Sequence, residues 1–260
     1  MQIAQIQPVW TRVQGFEYNC SFFMPPGPAW SDLEGHVSLP WGIYFIVFGV
    51  VCFAAYLPCF GALFSNAHIS CYKIMLWLCV VDMQALCITI ILGCYMIHGW
   101  VFCSYPLAST MIAVWSVGCW TGSCIGCTLL VTERLFEIRG RSWMLKGSRI
   151  WPPLAFTTSY AVFFAFLTPP FFPTSAIPAM FPSPLIPGLE DIVSYTSIPK
   201  VCNNVGVAAL NTTMNIVVCF LVARKRGLVV DRSKRSTVLD IRMYAQLMII
   251  SAANATSAFV

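Results

Sequence analysis

The chain alternates long apolar stretches that carry no charge with short segments that hold its charged residues. Uncharged stretches occupy 35–72, 83–132, 150–189, 201–223 and 243–260. A helix needs about 20 mainly apolar residues to cross the ~30 Å hydrocarbon core of a bilayer, and each stretch has room for one or more. The pattern predicts six membrane-spanning helices, at about 41–64, 73–98, 105–132, 150–170, 203–223 and 243–260.

The predicted fold class is therefore an all-α, polytopic membrane helix bundle. Composition agrees, because 58% of the residues are hydrophobic and only 10% are charged. A soluble domain of this length could not bury so much apolar surface. The apolar segment after the fourth span is an exception, since eight prolines between 168 and 200 block a helix. We predict a Pro-rich extracellular loop at 171–202.

Basic residues predict the orientation of the bundle. Thirteen of the 15 Lys and Arg residues fall in the connections 65–73, 133–149 and 224–242. The positive-inside rule makes that side cytosolic, so the N-terminal segment 1–40 is predicted to be extracellular. Only Arg12 and Lys200 belong to the other side. The net charge of +5 thus reflects topology and contact with lipid, and gives no reason to expect nucleic-acid binding.

Three cysteines, Cys20, Cys103 and Cys202, are predicted to face the extracellular side, where one disulfide can form. Cys103 precedes the third span and Cys202 precedes the fifth, so the sequence favours a Cys103–Cys202 bridge at the outer rim. Asn19-Cys20-Ser21 is a glycosylation sequon on the same side, which predicts a glycan on Asn19. Two further sequons, at Asn211 and Asn254, lie within predicted spans.

Several short motifs resemble the nematode serpentine receptors of class T. They are Ser70–Met75 (SCYKIM) followed by Asp82, Tyr56-Leu57-Pro58, Tyr18-Asn19-Cys20, Cys103-Ser104-Tyr105-Pro106 and the third-span run WSVGCWTGSCIGC. The likeness is good over the first half of the chain and rests mainly on span order in the second. It implies a seven-helix chemosensory receptor in the plasma membrane of a sensory cell, signalling through a heterotrimeric G protein.

The chain departs from that family pattern in two ways. Glu133-Arg134 stands at the inner end of the third span, where these receptors commonly have Asn-Arg. The sequence also stops at Val260, inside the sixth span. We therefore expect a truncated receptor that lacks the seventh helix and does not signal.

Glu133 and Arg134 are the candidate G-protein coupling site. In the functional interpretation, Arg134 pairs with Glu133 or with an acid such as Asp240 at rest and is released to the G protein. The alternative is a plain cytosolic anchor whose surface ion pair contributes little.

Asp82 lies inside the second span, nine residues after Lys73 and about 14 Å along a helix from the cytosolic rim. An ionisable group at that depth costs roughly 2.5–3.5 kcal/mol on insertion scales, so it should face the bundle interior. We predict an intramembrane polar hub of Asp82 with Ser123, Asn215 and Asn254. The alternative is a protonated acid that only helps helix assembly.

The third span carries glycines at four-residue steps, Gly118, Gly122 and Gly126, which predict close helix packing on one face. Cys124 and Cys127 have the CxxC spacing of a metal site, but no second ligand pair lies near them in the sequence. We predict no metal and no other cofactor.

Aromatic residues in the outer half of the predicted bundle suggest a site for a small, mostly apolar ligand. We predict that Trp115 contacts this ligand. The alternative is an interfacial aromatic belt. A transporter or channel remains the rival function, and it predicts broken helices and several buried charges. No enzyme is predicted, because the sequence contains no HExxH motif or paired catalytic carboxylates.

Overall fold

The computed structural model describes residues 6–22, 25–187, 189 and 193–227. Five long helices account for most of the described chain. Each is long and apolar enough to cross a membrane, the fourth together with the short helical turn before it, as Gly147–Leu167. They are α3 (Leu39–Ser65), α4 (Ser70–His98), α5 (Pro106–Ile138), α6 (Trp151–Leu167) and α7 (Ile198–Gly227). Two short helices precede them, α1 (Val9–Val13) and α2 (Ala29–Leu33). The all-α, polytopic fold class is confirmed, and the predicted sixth span lies outside the described residues.

Two helix boundaries differ from the sequence prediction. Helix α5 begins at Pro106, whose fixed φ suits the first helical position, but it continues to Ile138 instead of ending near residue 132. Helix α7 begins at Ile198, so the Pro-rich connection is shorter than predicted. That connection contains a two-stranded antiparallel pair, β1 (Phe172–Pro173) with β2 (Met180–Phe181), in which Phe172 is paired with Phe181.

Burial differs strongly among the long helices. Of the 18 most apolar consecutive residues in each helix, 56% are buried in α5 and 6% in α3. Large side chains such as Phe48, Val51 and Phe64 of α3 point away from the protein. A surface of this kind is stable only against lipid or another apolar partner.

The chain divides into two compact units. The first unit comprises Met1–Ala62, Cys79–Gly122 and Thr158–Lys200. Its core includes Tyr18, Trp30, Phe102, Phe172 and Tyr195, which come from the N-terminal segment and the loops between helices. The ring of Tyr18 makes edge contacts with Phe102, Phe172 and Tyr195 at centroid distances of 5.5–6.3 Å.

Backbone hydrogen bonds bind the extended segments of the first unit to its helices. Gln7 donates to the carbonyl of Leu167 at 3.0 Å, and Ser38 donates to that of Met96 at 2.9 Å. The Ser175 amide donates to the Trp100 carbonyl at 3.0 Å. These bonds satisfy amides and carbonyls that would otherwise lie buried without partners.

Helices α3 and α4 approach each other closely in the first unit, through glycines. A Cβ atom on Gly42 would lie 2.9 Å from the Gly93 carbonyl oxygen, and one on Gly93 would lie 2.8 Å from the Gly42 oxygen. Such spacing admits only glycine, as is common where membrane helices cross tightly.

The second unit comprises Leu63–Leu78, Ser123–Thr157 and Val201–Val260, of which the structure describes the residues up to 227. Its core is aliphatic, with Ile74, Val131, Ile150 and Val218 all nearly inaccessible. Lys73 lies over the ring of Trp151 with 5.5 Å between Nζ and the ring centroid.

Candidate functional site

The disulfide of this protein joins Cys20 and Cys103, with 5.7 Å between their Cα atoms. The predicted Cys103–Cys202 bridge is therefore wrong, and Cys202 is an exposed free cysteine. The reason is local packing: Cys20 and Cys103 are both buried in the aromatic core beside Tyr18 and Phe102. Position along the chain had suggested that Cys202 lies equally near the rim, but it could not reveal how the N-terminal segment folds.

Asn19 is exposed next to this bridge. Its side-chain oxygen accepts a hydrogen bond from the Ser21 backbone amide at 3.1 Å, which forms a small turn within the sequon. The asparagine at the modified position is thus on the surface, whereas its neighbour Cys20 is buried. Glycosylation of Asn19 stays a prediction.

Asp82 lies half-buried on α4 and accepts a hydrogen bond from the hydroxyl of Tyr56 on α3 at 3.1 Å. Tyr56 was not among the predicted members of the polar hub. Depth matching could have found it, because Tyr56 lies nine residues before the end of α3 and Asp82 twelve residues after the start of α4. The two helices run in opposite directions across a predicted bilayer, so these positions lie at similar depths.

The other predicted hub residues are assigned outside the first unit or outside the described chain. Ser123 and Asn215 belong to the second unit, and Asn254 lies outside the described residues. Asn215 is buried, and neither polar atom of its amide has a hydrogen-bond partner in the described part of the chain. One turn earlier, Asn211 accepts a hydrogen bond from Thr128 of α5 at 2.9 Å. A hub that joins all four predicted residues stays a prediction.

Trp115 is 38% exposed, and its indole nitrogen donates to the side-chain oxygen of Gln84 at 3.3 Å. The thiol of Cys119, one turn further along α5, also approaches that oxygen, at 3.7 Å. Gln84 follows Asp82 by two residues, so α4 directs polar groups toward both α3 and α5. The role of Trp115 in ligand binding stays a prediction.

The glycines of α5 contact different neighbours. A Cβ on Gly126 would lie 2.7 Å from Leu78 and 2.8 Å from Trp77 of α4, whereas one on Gly118 would lie 3.5 Å from Ala165 of α6. Gly122 is buried. Close packing therefore holds at Gly126, while Gly118 has space for a methyl group.

Arg134 is buried near the end of α5 and is surrounded by groups that accept hydrogen bonds or carry negative charge. Its guanidinium donates to Glu137 at 2.6 Å, and its Nε lies 3.7 Å from a carboxylate oxygen of Glu133. It also contacts the thiol of Cys71 at the start of α4. Asp240, the other predicted partner, lies outside the described residues.

These contacts extend the predicted Glu133–Arg134 pair. Glu137 stands three residues after Arg134 on the same helical face, so the i,i+3 rule could have identified it. Cys71 required the tertiary fold, because it is 63 residues away along the chain. The guanidinium of Arg134 therefore contacts groups on its own helix, α5, and on α4. These contacts have to break before the side chain can take new partners.

Residues 8–260 match the model of the serpentine-type seven-transmembrane GPCR chemoreceptor family Srt. This chain belongs to the Srt family. No curated protein and no solved structure matches it. The match extends through both units of the Srt chain described above, and it supports a chemosensory receptor embedded in a membrane. The resemblance drawn from the SCYKIM and WSVGCWTGSCIGC motifs is confirmed.

Proposed function

We propose that an Srt receptor carrying this sequence detects a small, mostly apolar ligand at the plasma membrane of a sensory cell and signals through a heterotrimeric G protein. The expectation that the 260-residue form alone does not signal stays a prediction, and the exchange assay below tests it. The observation that carries the proposal is the family match over residues 8–260. Ligand detection and G-protein coupling are the two activities that a receptor of this class combines. In this proposal the N-terminal segment is extracellular, and the basic connections 133–149 and 224–242 are cytosolic.

Glu133 and Arg134 form the proposed G-protein coupling latch, with Glu137 and Cys71 as further partners of the guanidinium. The side chains of Arg134 and Glu133 are only 11% and 12% exposed, so their attraction is less screened by water than that of an exposed pair. The Glu137 side chain is 52% exposed, so its pair with Arg134 is screened more strongly. Exchange of the Arg134 partners for groups of a G protein would couple the end of α5 to signalling. Asp82 of the proposed polar hub and the proposed ligand contact Trp115 belong to the first unit, whereas Arg134 belongs to the second.

The decisive experiment is guanine-nucleotide exchange on a heterotrimeric G protein added to membranes that contain the chain. A receptor raises the exchange rate above that of empty membranes, either spontaneously or when an agonist is added. The Arg134→Ala variant should lose this activity, whereas Arg139→Ala, in the exposed segment after α5, should keep it. Movement of a substrate across the membrane of vesicles, without any guanine-nucleotide exchange on the G protein, would instead indicate a transporter or channel.

Glycosylation of Asn19 tests whether the N-terminal segment is extracellular. Glycosidase treatment should shift the mobility of the wild-type protein once, and Asn19→Gln should abolish the shift. The Asn211→Gln and Asn254→Gln variants serve as controls that should behave like the wild type. A shift that survives Asn19→Gln would contradict the proposed topology.

A further inference from the structure

The two basic residues assigned to the extracellular side, Arg12 and Lys200, are both buried. Arg12 is 3% exposed and Lys200 is 5% exposed. Ionisable side chains within or beside a membrane helix are costly, and where they are present they usually mark a functional site. The burial of Lys200 in the first unit therefore requires an explanation that positive-inside topology does not give.

The contacts of Lys200 leave most of its hydrogen-bonding capacity unused. Its ammonium donates to the carbonyl of Pro169 and lies 3.9 Å from the centroid of the Phe171 ring. An ammonium has three donors, and a carbonyl and a ring face do not neutralise its charge. Within the described part of the chain, no carboxylate forms a salt bridge with Lys200, whereas Arg134 has two such partners.

Arg12 adds positive charge to the same region. Its guanidinium donates to the Gln7 carbonyl at 3.4 Å, and Gln7 itself donates to Leu167 at the end of α6. The next residues of that segment include Pro169, the acceptor of the Lys200 hydrogen bond. Arg12 is close enough to Lys200 to repel it electrostatically. Arg12 has further contacts of its own, whereas Lys200 has no acidic partner among the described residues.

Ser197 supplies a third, independent observation. It directly precedes α7, is 3% exposed, and its hydroxyl has no hydrogen-bond partner in the described residues. Buried hydroxyl groups normally have a partner. Lys200 follows three residues later in the first turn of α7, where the helix N-terminus also favours negative charge.

We propose that Lys200 and Ser197 form an anion-recognition site that binds the carboxylate of an otherwise apolar ligand. The site deepens the proposed receptor function and rests on it for its biological meaning. The apolar character predicted for the ligand is retained, because the Phe171 ring beside Lys200 is itself apolar. The carboxylate would neutralise the buried Lys200 ammonium and accept hydrogen bonds from Lys200 and Ser197, which are charge-assisted and therefore strong.

The test is a thermal-shift measurement on the purified chain in detergent, without any G protein. The probes are straight-chain carboxylic acids of six to ten carbons, each compared with its methyl ester. A ligand that binds the folded state raises the melting temperature. We expect one or more acids to stabilise the wild type while the matching esters do not. Equal effects of acids and esters, or no effect of any acid, would overturn the proposal.

Variants locate the site. Lys200→Met should weaken acid binding at least about tenfold, which corresponds to ~1.4 kcal/mol, and Ser197→Ala should weaken it about threefold on the same scale. Lys73→Met is the matched control, because Lys73 also lies over an aromatic ring but belongs to the second unit. It should leave acid binding unchanged. If Lys200→Met does not fold, Lys200→Arg keeps the charge and Ser197→Ala keeps the lysine, and unchanged acid affinity in both would overturn the proposal.

One alternative occupant is an acid of the chain itself. The side chains of Glu17, Glu190 and Asp191 lie outside the described residues. If one of them neutralised Lys200, then Glu17→Gln, Glu190→Gln or Asp191→Asn would lower the melting temperature as Lys200→Met does, and added acids would not stabilise the wild type. That result would contradict a ligand site. Acid binding without nucleotide exchange would instead leave the site intact and contradict only the signalling function.

Discussion

The two units of this receptor are stabilised by different kinds of contact. In the first unit, distant backbone segments are held together by the Cys20–Cys103 cross-link, by the close Gly42–Gly93 approach and by backbone hydrogen bonds such as that from Gln7 to Leu167. In the second unit side chains do this work, through an aliphatic core and the contacts of Arg134 with Glu133, Glu137 and Cys71. Backbone contacts cannot exchange partners without unfolding, whereas side chains can change rotamer. The first unit is therefore suited to preserving the geometry of a binding site, and the second to switching.

The disulfide gives the sharpest test of this difference. Cys103→Ser should lower the free energy of unfolding by about 2–5 kcal/mol, because the bridge closes a long loop in the unfolded chain. Cys20→Ser should have the same effect, since either change removes the same bond. Cys202→Ser is the matched control and should change little, because Cys202 is free and exposed. Thermal melting in detergent, with and without reductant, measures all three, and a large loss in Cys202→Ser alone would contradict the structure.

Glycine substitutions separate backbone contacts from side-chain contacts. Gly93→Ala should destabilise the protein by about 1–3 kcal/mol, because its new methyl group meets the Gly42 carbonyl at 2.8 Å. Gly126→Ala should cost less, since Leu78 and Trp77 can adjust their side chains. Gly118→Ala has space for the methyl group and should be neutral or stabilising, by up to ~1 kcal/mol from helix propensity. The order of the three melting temperatures is the measurement, and Gly126→Ala as the most harmful would reverse the comparison.

The hydrogen bond between Tyr56 and Asp82 is a side-chain contact within the first unit. Its removal measures how much a side-chain contact contributes to the stability of that unit. Tyr56→Phe should cost about 0.5–1.5 kcal/mol of stability, the usual value for one hydrogen bond. Tyr44→Phe, at an exposed position of the same helix, should cost less than half as much. Equal melting temperatures for the two variants would show that the Tyr56 hydroxyl contributes no more than a surface phenol.

Neutralising the partners of Arg134 should affect activity more than stability. Glu137→Gln weakens the 2.6 Å pair and should raise basal nucleotide exchange about 1.4- to fivefold, corresponding to an ion pair of about 0.2–1 kcal/mol. Glu133→Gln should raise it less, because the Glu133 carboxylate lies 3.7 Å away. Glu34→Gln, in the first unit, is the control and should leave exchange unchanged. A fall in basal exchange in Glu137→Gln would show that this pair supports the active state and does not restrain it.

Hydrophobic patterning anticipated the helical part of the fold well. The five predicted spans that fall on described residues correspond to α3, α4, α5, α6 and α7, because a bilayer requires an uncharged run of nearly fixed length. Patterning was weaker at the helix ends. Helix α5 continues through Glu133, Arg134 and Glu137, since these charges are satisfied by one another and do not need to leave the helix for water.

Contacts between distant segments were harder to anticipate. The sequence contained three equivalent candidates for one disulfide, and only the folding of the N-terminal segment onto Phe102 and Phe172 selected Cys20 over Cys202. It also indicated Gly118, Gly122 and Gly126 as a packing face, but the close approach of two helix backbones, those of α3 and α4, involves Gly42 and Gly93. Periodicity identifies a face within one helix, and it does not say which other helix that face meets.

Local composition and short motifs were sufficient to predict the number of long helices in the described chain, their apolar character and the family. Tertiary structure decided which groups share a site. It placed Tyr56 against Asp82, Cys71 against Arg134, and Lys200 beside Pro169 and Phe171. The physical reason is that a membrane selects each helix separately by hydrophobicity, whereas hydrogen bonds and charge pairs within the bundle depend on how the helices rotate and pack against one another.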